Sequence, residues 1–238
     1  MFSHHAAGAR RAKDEGEKPF WISFADLMTA LMVLFLLVMS VALLAVTRTI
    51  TERERLENER QEEIEKLLGK IEEAARKQPG IRVDRTRNVI DFGERARFET
   101  SSSSLSPEQG QLLRAFVPEV LSIARDKGGS RWLKRIVVEG FTDRRGSYLY
   151  NLNLSLQRSQ RVLCELMGLP RSGERPMSRQ ELEEIRRLFL VGGYSSNSAK
   201  ASLDASRRIE LRLEFFGVDE PATRDAQDFN GEFGLCAV

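Results

Sequence analysis

The chain has 238 residues, 37 Lys and Arg against 35 Asp and Glu, a formal charge of +2, two histidines and two cysteines. A near-neutral balance without an extended basic stripe and interleaved aromatics speaks against nucleic-acid binding. Both histidines, His4 and His5, lie in the N-terminal tail, so a Ser-His-Asp triad or a His-rich zinc site farther along is excluded.

Residues 1–19 form a polar tail. Residues 20–46 then read FWISFADLMTALMVLFLLVMSVALLAV, and a helix rising about 1.5 Å per residue needs only about 20 apolar residues to cross hydrocarbon. One transmembrane helix in a lipid bilayer is therefore expected. The run far exceeds the roughly 7 to 15 residues of a signal-peptide core and contains an acid, so it is expected to stay as an anchor. Arg10, Arg11, Lys13 and Lys18 precede it and Arg48, Arg53 and Arg55 follow, a slight charge bias for an inward N-terminus.

Asp26 is the acid within that run. A carboxylate near the centre of a spanning helix costs roughly 2.5–3.5 kcal/mol, so it either reaches headgroup water from near the helix start or serves a function. Thr29, Ala30 and Val33 fall at i+3, i+4 and i+7 from it. This stripe of small or modest side chains lets another helix approach closely and favours an Asp26 that faces protein or a watery path.

Residues 47–80 mix Glu, Lys and Arg and read as a solvated helix. Ile50, Ile64 and Ile71 keep a seven-residue spacing, Leu68 and Ala75 support a second position, and Glu57 interrupts the seam. A short dimeric coiled coil and a single charged spacer helix both fit. Pro79-Gly80 ends the segment.

From residue 81 the pattern becomes mixed α and β. Residues 88–92 (NVIDF) suit a short strand, and Ser106, Pro107 and Gln109 make a capping box with proline in the first turn of a helix running to about residue 127. Residues 135–140 form the strongest strand, 149–167 a helix, 188–192 a strand, and 207–216 a strand with Ile209, Leu211 and Leu213 on one face. Residues 169–187 read as an inserted loop with a short extra helix. Gly128-Gly129 and Gly192-Gly193 read as turn glycines that cradle no phosphate. The fold class is α+β: one transmembrane helix, a charged helical linker, a layered domain over 81–216 of about 135 residues, and a polar tail over 217–238. Cys164 and Cys236 lack metal-ligand spacing; in an extracytoplasmic domain they either pair as a disulfide or remain thiols.

Two resemblances cover most of residues 20–216. Trp21, Phe24, Ala25, Asp26, Met28, Thr29 and Leu31 resemble the transmembrane signature of the stator B subunit of flagellar motors, the MotB type. That likeness implies that Asp26, with Thr29 beside it, relays the coupling ion, a proton or sodium, with proton as the expectation. It also implies a polytopic A-type partner, a pentameric ring around a dimer of this chain, in the bacterial inner membrane with the N-terminus in the cytoplasm and the domain in the periplasm. The lead-in KPFWISFAD and the compact domain look more similar to the B subunits of Zorya anti-phage systems than to flagellar ones, on overall similarity alone.

The second resemblance lies in VVEGFTDRRGSYLYNLNLSLQRSQRVL and SRRIELRL, which resemble the OmpA-like peptidoglycan-binding domain. Matching positions are Gly140, Thr142, Asp143, Asn151, Leu154, Ser155, Arg158, Arg207, Arg208 and Glu210. By this likeness Thr142, Asp143, Asn151, Leu154, Arg158, Arg207 and Arg208 bind peptidoglycan, and Asp143 and Arg158 hold the diaminopimelate of the stem peptide. A carboxylate and a guanidinium suit a zwitterion; an internal Asp143–Arg158 salt bridge is the alternative. Phe141 departs from the usual histidine, Ser159 from alanine and Ser206 from asparagine, and Gly193-Tyr194-Ser195-Ser196 stands where Gly-Tyr-Gly-Glu is common, which leaves the finer ligand preference open. Neither resemblance implies an enzyme, a cofactor or a metal. An ion-driven stator B subunit, serving defence or motility, is the expected function, with a passive wall tether or a secretion-system envelope component as alternatives.

Overall fold

The spacing of apolar side chains changes character along the first helix, α1 (Lys18–Arg76), and that change separates two units divided between Arg55 and Leu56. The computed structural model describes residues 18–171, 173–220, 231, 233, 234 and 236. In the first unit the apolar side chains point outward all round, Trp21, Leu27, Leu34, Val41 and Leu43 among them. One helix among the described residues is long and apolar enough to cross a membrane, with a mean hydropathy of 2.8 over its most apolar window. Hydroxyls there are satisfied locally: Thr29, Ser40 and Thr47 donate to the carbonyls four residues back at 2.7, 2.7 and 2.8 Å, so none needs water.

The later part of α1 behaves differently. Ile64, Leu67, Leu68, Ile71, Ala74 and Ala75 recur at helical spacing, and all are buried in one cluster with Phe92, Phe116 and Val120. The stretch expected to be a solvated linker is thus part of the folded unit from Ile64 onward, and the coiled-coil alternative has no free seam there. The physical reason is that the domain itself supplies the apolar surface that a second helix would otherwise provide. Salt bridges hold the flanks, Lys70 to Asp126 at 2.6 Å, Lys77 to Glu119 at 2.8 Å and Arg85 to Glu72 at 2.5 Å.

The rest of this unit is one five-stranded sheet in the order β1-β2-β5-β3-β4. The strands are β1 (Arg82–Asp84), β2 (Val89–Asp91), β3 (Leu133–Gly140), β4 (Phe189–Gly193) and β5 (Ile209–Phe215). β5 is central and antiparallel to β2 and β3, whereas β3 and β4 are parallel. A parallel pair needs a crossover. It is made by α4 (Tyr148–Met167) and α5 (Arg179–Leu188), which follows the residue 169–178 insertion. α2 (Pro107–Arg125) starts at the expected capping box, Ser106 and Gln109 each bonding the other's backbone N–H. Ile136, Val138, Ile209, Leu211 and Leu213 meet the apolar sides of these helices in the core.

Four short elements have no sequence signal strong enough to expect: β1, a single 3-10 turn (Gly93–Ala96), α3 (Lys127–Trp132) and α6 (Leu203–Ser206). Gly128 and Gly129 lie in α3 and Gly192 and Gly193 in β4, so neither pair makes the turn expected of it. Cys164 of α4 is bonded to Cys236, with Cα atoms 5.6 Å apart at a sequence separation of 72. Most of the tail expected to be irregular lies outside the described residues.

Because Leu68 is almost fully buried, Leu68→Ala should lower the unfolding free energy of residues 56–238 by about 2–5 kcal/mol. Urea titration followed by circular dichroism measures it. A variant of unchanged stability but altered association state would restore the coiled-coil reading.

Candidate functional site

Within the first unit, Asp26 engages no other described residue by a hydrogen bond or ion pair, and its side chain is exposed. Thr29, one turn on, spends its hydroxyl proton on the Ala25 carbonyl. Its oxygen can therefore only accept from, or coordinate, a further group. Asp26 and Thr29 thus place two oxygen-bearing side chains on one face of the helix.

The second unit brings most of the remaining expected residues together. Thr142, Asp143, Asn151, Leu154, Arg158 and Arg207 line one cavity of about 30 Å³, joined by Thr100, Ser101, Arg145 and Tyr150. It lies where β3 ends against the start of α4. Gly140 closes β3 so near α4 that an added Cβ would sit 2.0 Å from the Ser155 carbonyl oxygen; only glycine lets the loop leave at this point. Ser155 holds the neighbouring crossing: its hydroxyl donates to the Leu152 carbonyl and accepts the Ser195 amide at 3.0 Å.

The loop after β3 is fixed by its own polar groups. Asp143 Oδ1 accepts the Arg145 amide at 2.9 Å, Asn151 Nδ2 donates to the Arg145 carbonyl at 2.9 Å, and Gly146 takes a φ of 95° that L side chains rarely adopt. Asp143 Oδ2 accepts from Arg145 Nη2 at 2.9 Å and from Arg207 Nη1 at 3.2 Å. Arg207 is anchored on the other side by the Phe98 carbonyl at 2.9 Å and by Asp204.

Arg158 is fully buried and makes no salt bridge with Asp143; the internal pair weighed from sequence is not formed. Its guanidinium donates to three carbonyls, Phe141 at 2.7 Å, Ser102 at 2.9 Å and Glu99 at 3.1 Å, and stacks 4.9 Å from the Phe98 ring. Burial, helped by the charge of Arg207, pushes its pKa down to about 10, so it remains a cation at neutral pH. Its three carbonyl acceptors leave the positive charge without a carboxylate partner among the described residues. Thr142 Oγ1 is buried without a hydrogen-bond partner among the described residues.

Two features depart from the sequence expectation. Arg208 does not line the cavity: it pairs with Glu210 at 2.7 Å and lies 4.1 Å from the Phe141 ring. Phe141 contributes its carbonyl to Arg158, while its ring stacks on Tyr194 at 5.4 Å. The histidine-to-phenylalanine departure therefore changes what packs behind the cavity and leaves the carbonyl in place. Thr100, Ser101, Arg145 and Tyr150 were not among the residues expected from sequence. Arg145 carried a usable signal in the Asp-x-Arg spacing of an Asx turn, whereas Thr100 and Ser101 arrive from a distant loop with no local mark.

Hydrogen bonding from the Arg145 side chain, aided by its amide and by Arg207, holds the Asp143 carboxyl at about 2 despite the opposing effect of burial. A folded pKa below the ordinary value of about 3.9 means stabilisation present above that value and lost as pH falls through the folded one. The melting-temperature gap between this chain and Asp143→Asn should stay level from about pH 8 to 5 and close between about pH 4 and 2. Calorimetry across that range measures it; a gap unchanged at about pH 2 would mean the ion pairs contribute nothing.

The family described as membrane MotB of the proton-channel complex MotA/MotB matches residues 7–48. Among solved structures, the periplasmic domain of Helicobacter pylori MotB is 17% identical, with 61% of this chain and 85% of that one covered at a TM-score of 0.41. The cell wall anchor of the T6SS from Pseudomonas aeruginosa is 21% identical, with 63% and 97% covered at a TM-score of 0.39. The Zorya protein ZorB of Escherichia coli O139:H28 (strain E24377A / ETEC) is 46% identical over 231 residues, 96% of this chain and 94% of that protein. Related at that identity along nearly its whole length, the chain belongs to the ZorB family of Zorya proteins.

Proposed function

We propose that this chain is the peptidoglycan-anchored B subunit of a proton-driven motor of the bacterial inner membrane, serving anti-phage defence. Its N-terminus lies in the cytoplasm and its domain in the periplasm. The observation that carries the reading is Asp26, the one ionisable side chain between Trp21 and Thr47. An intramembrane carboxylate without a partner of its own needs a protein or water-filled surrounding. A single helix cannot enclose one, so two copies of this chain within a pentameric, polytopic A-type partner would complete it.

Proton passage at Asp26 would then be the energy source. One charge crossing 100 mV releases about 2.3 kcal/mol, available to turn the partner if something resists the reaction torque. A helix in fluid lipid resists almost none. The cavity around Asp143 and Arg158 would supply the fixed point by holding the diaminopimelate of the wall peptide, its ammonium on Asp143 and its carboxylate on Arg158.

Asp26→Asn, nearly isosteric but without an exchangeable carboxylate proton, should abolish protection from phage in plaque assays while membrane level and partner association stay normal. Full protection would overturn the ion relay. Asp143→Ala should cut cosedimentation with purified peptidoglycan by about tenfold or more, the loss of one charge-assisted contact, and should lose protection as completely as Asp26→Asn. Protection retained by a variant that no longer sediments with the wall would overturn the anchored-motor reading.

A further inference from the structure

We propose that Arg145 is an intramolecular competitor for the ammonium of the wall peptide: its guanidinium occupies the position on Asp143 that the ligand takes, and binding proceeds by exchange. This rests on the reading of the cavity as the wall-binding site. A carboxylate offers about four acceptor positions. Those of Asp143 are occupied by the Arg145 amide, Arg145 Nε at 3.4 Å, Arg145 Nη2 and Arg207 Nη1. An incoming ammonium must displace a donor.

Geometry decides which one leaves. Arg207 is 11% exposed and tied to Phe98 and Asp204. Arg145 is 54% exposed, and among the described residues its guanidinium hydrogen-bonds, beyond Asp143, only to the Thr100 hydroxyl at 3.2 Å. Its backbone is pinned independently by Asp143 and Asn151, so the side chain can swing away while the loop keeps its shape. Space points the same way. The cavity measures about 30 Å³ and Arg145 is part of its lining, so the departure of that side chain would enlarge it. Its departure would also open the cavity toward the buried Thr142 hydroxyl, which has no protein partner among the described residues.

Exchange has a consequence for selectivity. A free ammonium restores the charge that Asp143 loses with Arg145, whereas an acylated amine leaves a buried carboxylate under-compensated and is refused. The site thus selects a free amine beside a carboxylate, and Arg145 sets how strongly.

The test is calorimetric titration of the full chain in detergent with a soluble diaminopimelate-containing peptidoglycan fragment, and with the same fragment acetylated on its free amine. Arg145→Ala, which keeps the amide bond to Asp143, should bind the free-amine fragment about three- to tenfold more tightly. It should show no gain for the acetylated one, and Asp143→Ala should bind neither. Equal or weaker binding by Arg145→Ala, with Asp143→Ala still inactive, overturns the competitor and leaves the wall site standing. Undiminished binding by Asp143→Ala overturns the wall site itself, and the competitor with it.

Discussion

The Arg158 guanidinium is the interaction on which the cavity of the second unit depends. It reaches from the middle of α4 to the carbonyl of Phe141 at the end of β3 and to those of Glu99 and Ser102 in the loop before α2. Three segments distant in sequence are thereby held at one point, and the cation that holds them is itself the anion-attracting floor of the cavity. Desolvating a guanidinium costs several kcal/mol unless its donors are met. The carbonyls meet that cost in part while leaving the charge uncancelled.

The sheet carries a second set of charges with the opposite purpose. Glu139 and Glu210 face each other directly across β3 and β5, both fully buried, a pairing that would repel if bare. Arg212 takes Glu139 in a two-point contact at 2.6 and 3.0 Å, and Arg208 and Arg87 take Glu210. These charges are closed on themselves and stiffen the platform behind the loop. That closure explains why Arg208, adjacent to Arg207 in sequence, serves the scaffold while its neighbour serves the cavity: successive residues entering a strand point to opposite faces.

The two candidate sites answer to different solvents. Asp26 lies in the apolar segment of α1 and has no hydrogen-bond or ion-pair partner among the described residues. The cavity of the second unit is lined within one chain by Asp143, Arg145, Arg158 and Arg207 among others, charges that water screens only partly. In the proposed motor neither suffices alone, because an ion relay without an anchor turns nothing and an anchor without a relay does no work.

The spanning segment, the isolated carboxylate within it, the capping box at Ser106, the alternation of Ile209, Leu211 and Leu213, and the motif residues Thr142, Asp143, Asn151 and Arg158 were all legible in the chain. The first four depend on a local period or a short spacing, which the sequence alone determines; the motif residues were legible only through the resemblance to the OmpA-like domain. Tertiary structure decided the rest. It showed that the stripe from Ile64 to Ala75 is covered by the chain's own domain, since an amphipathic stripe specifies that it will be buried and says nothing of what will bury it. It placed Thr100 and Ser101 beside Asp143 and split Arg207 from Arg208. It also gave Asp143 the partner Arg145 in place of Arg158. A carboxylate among several arginines chooses by distance and burial, and those are set only when the loops are closed around it.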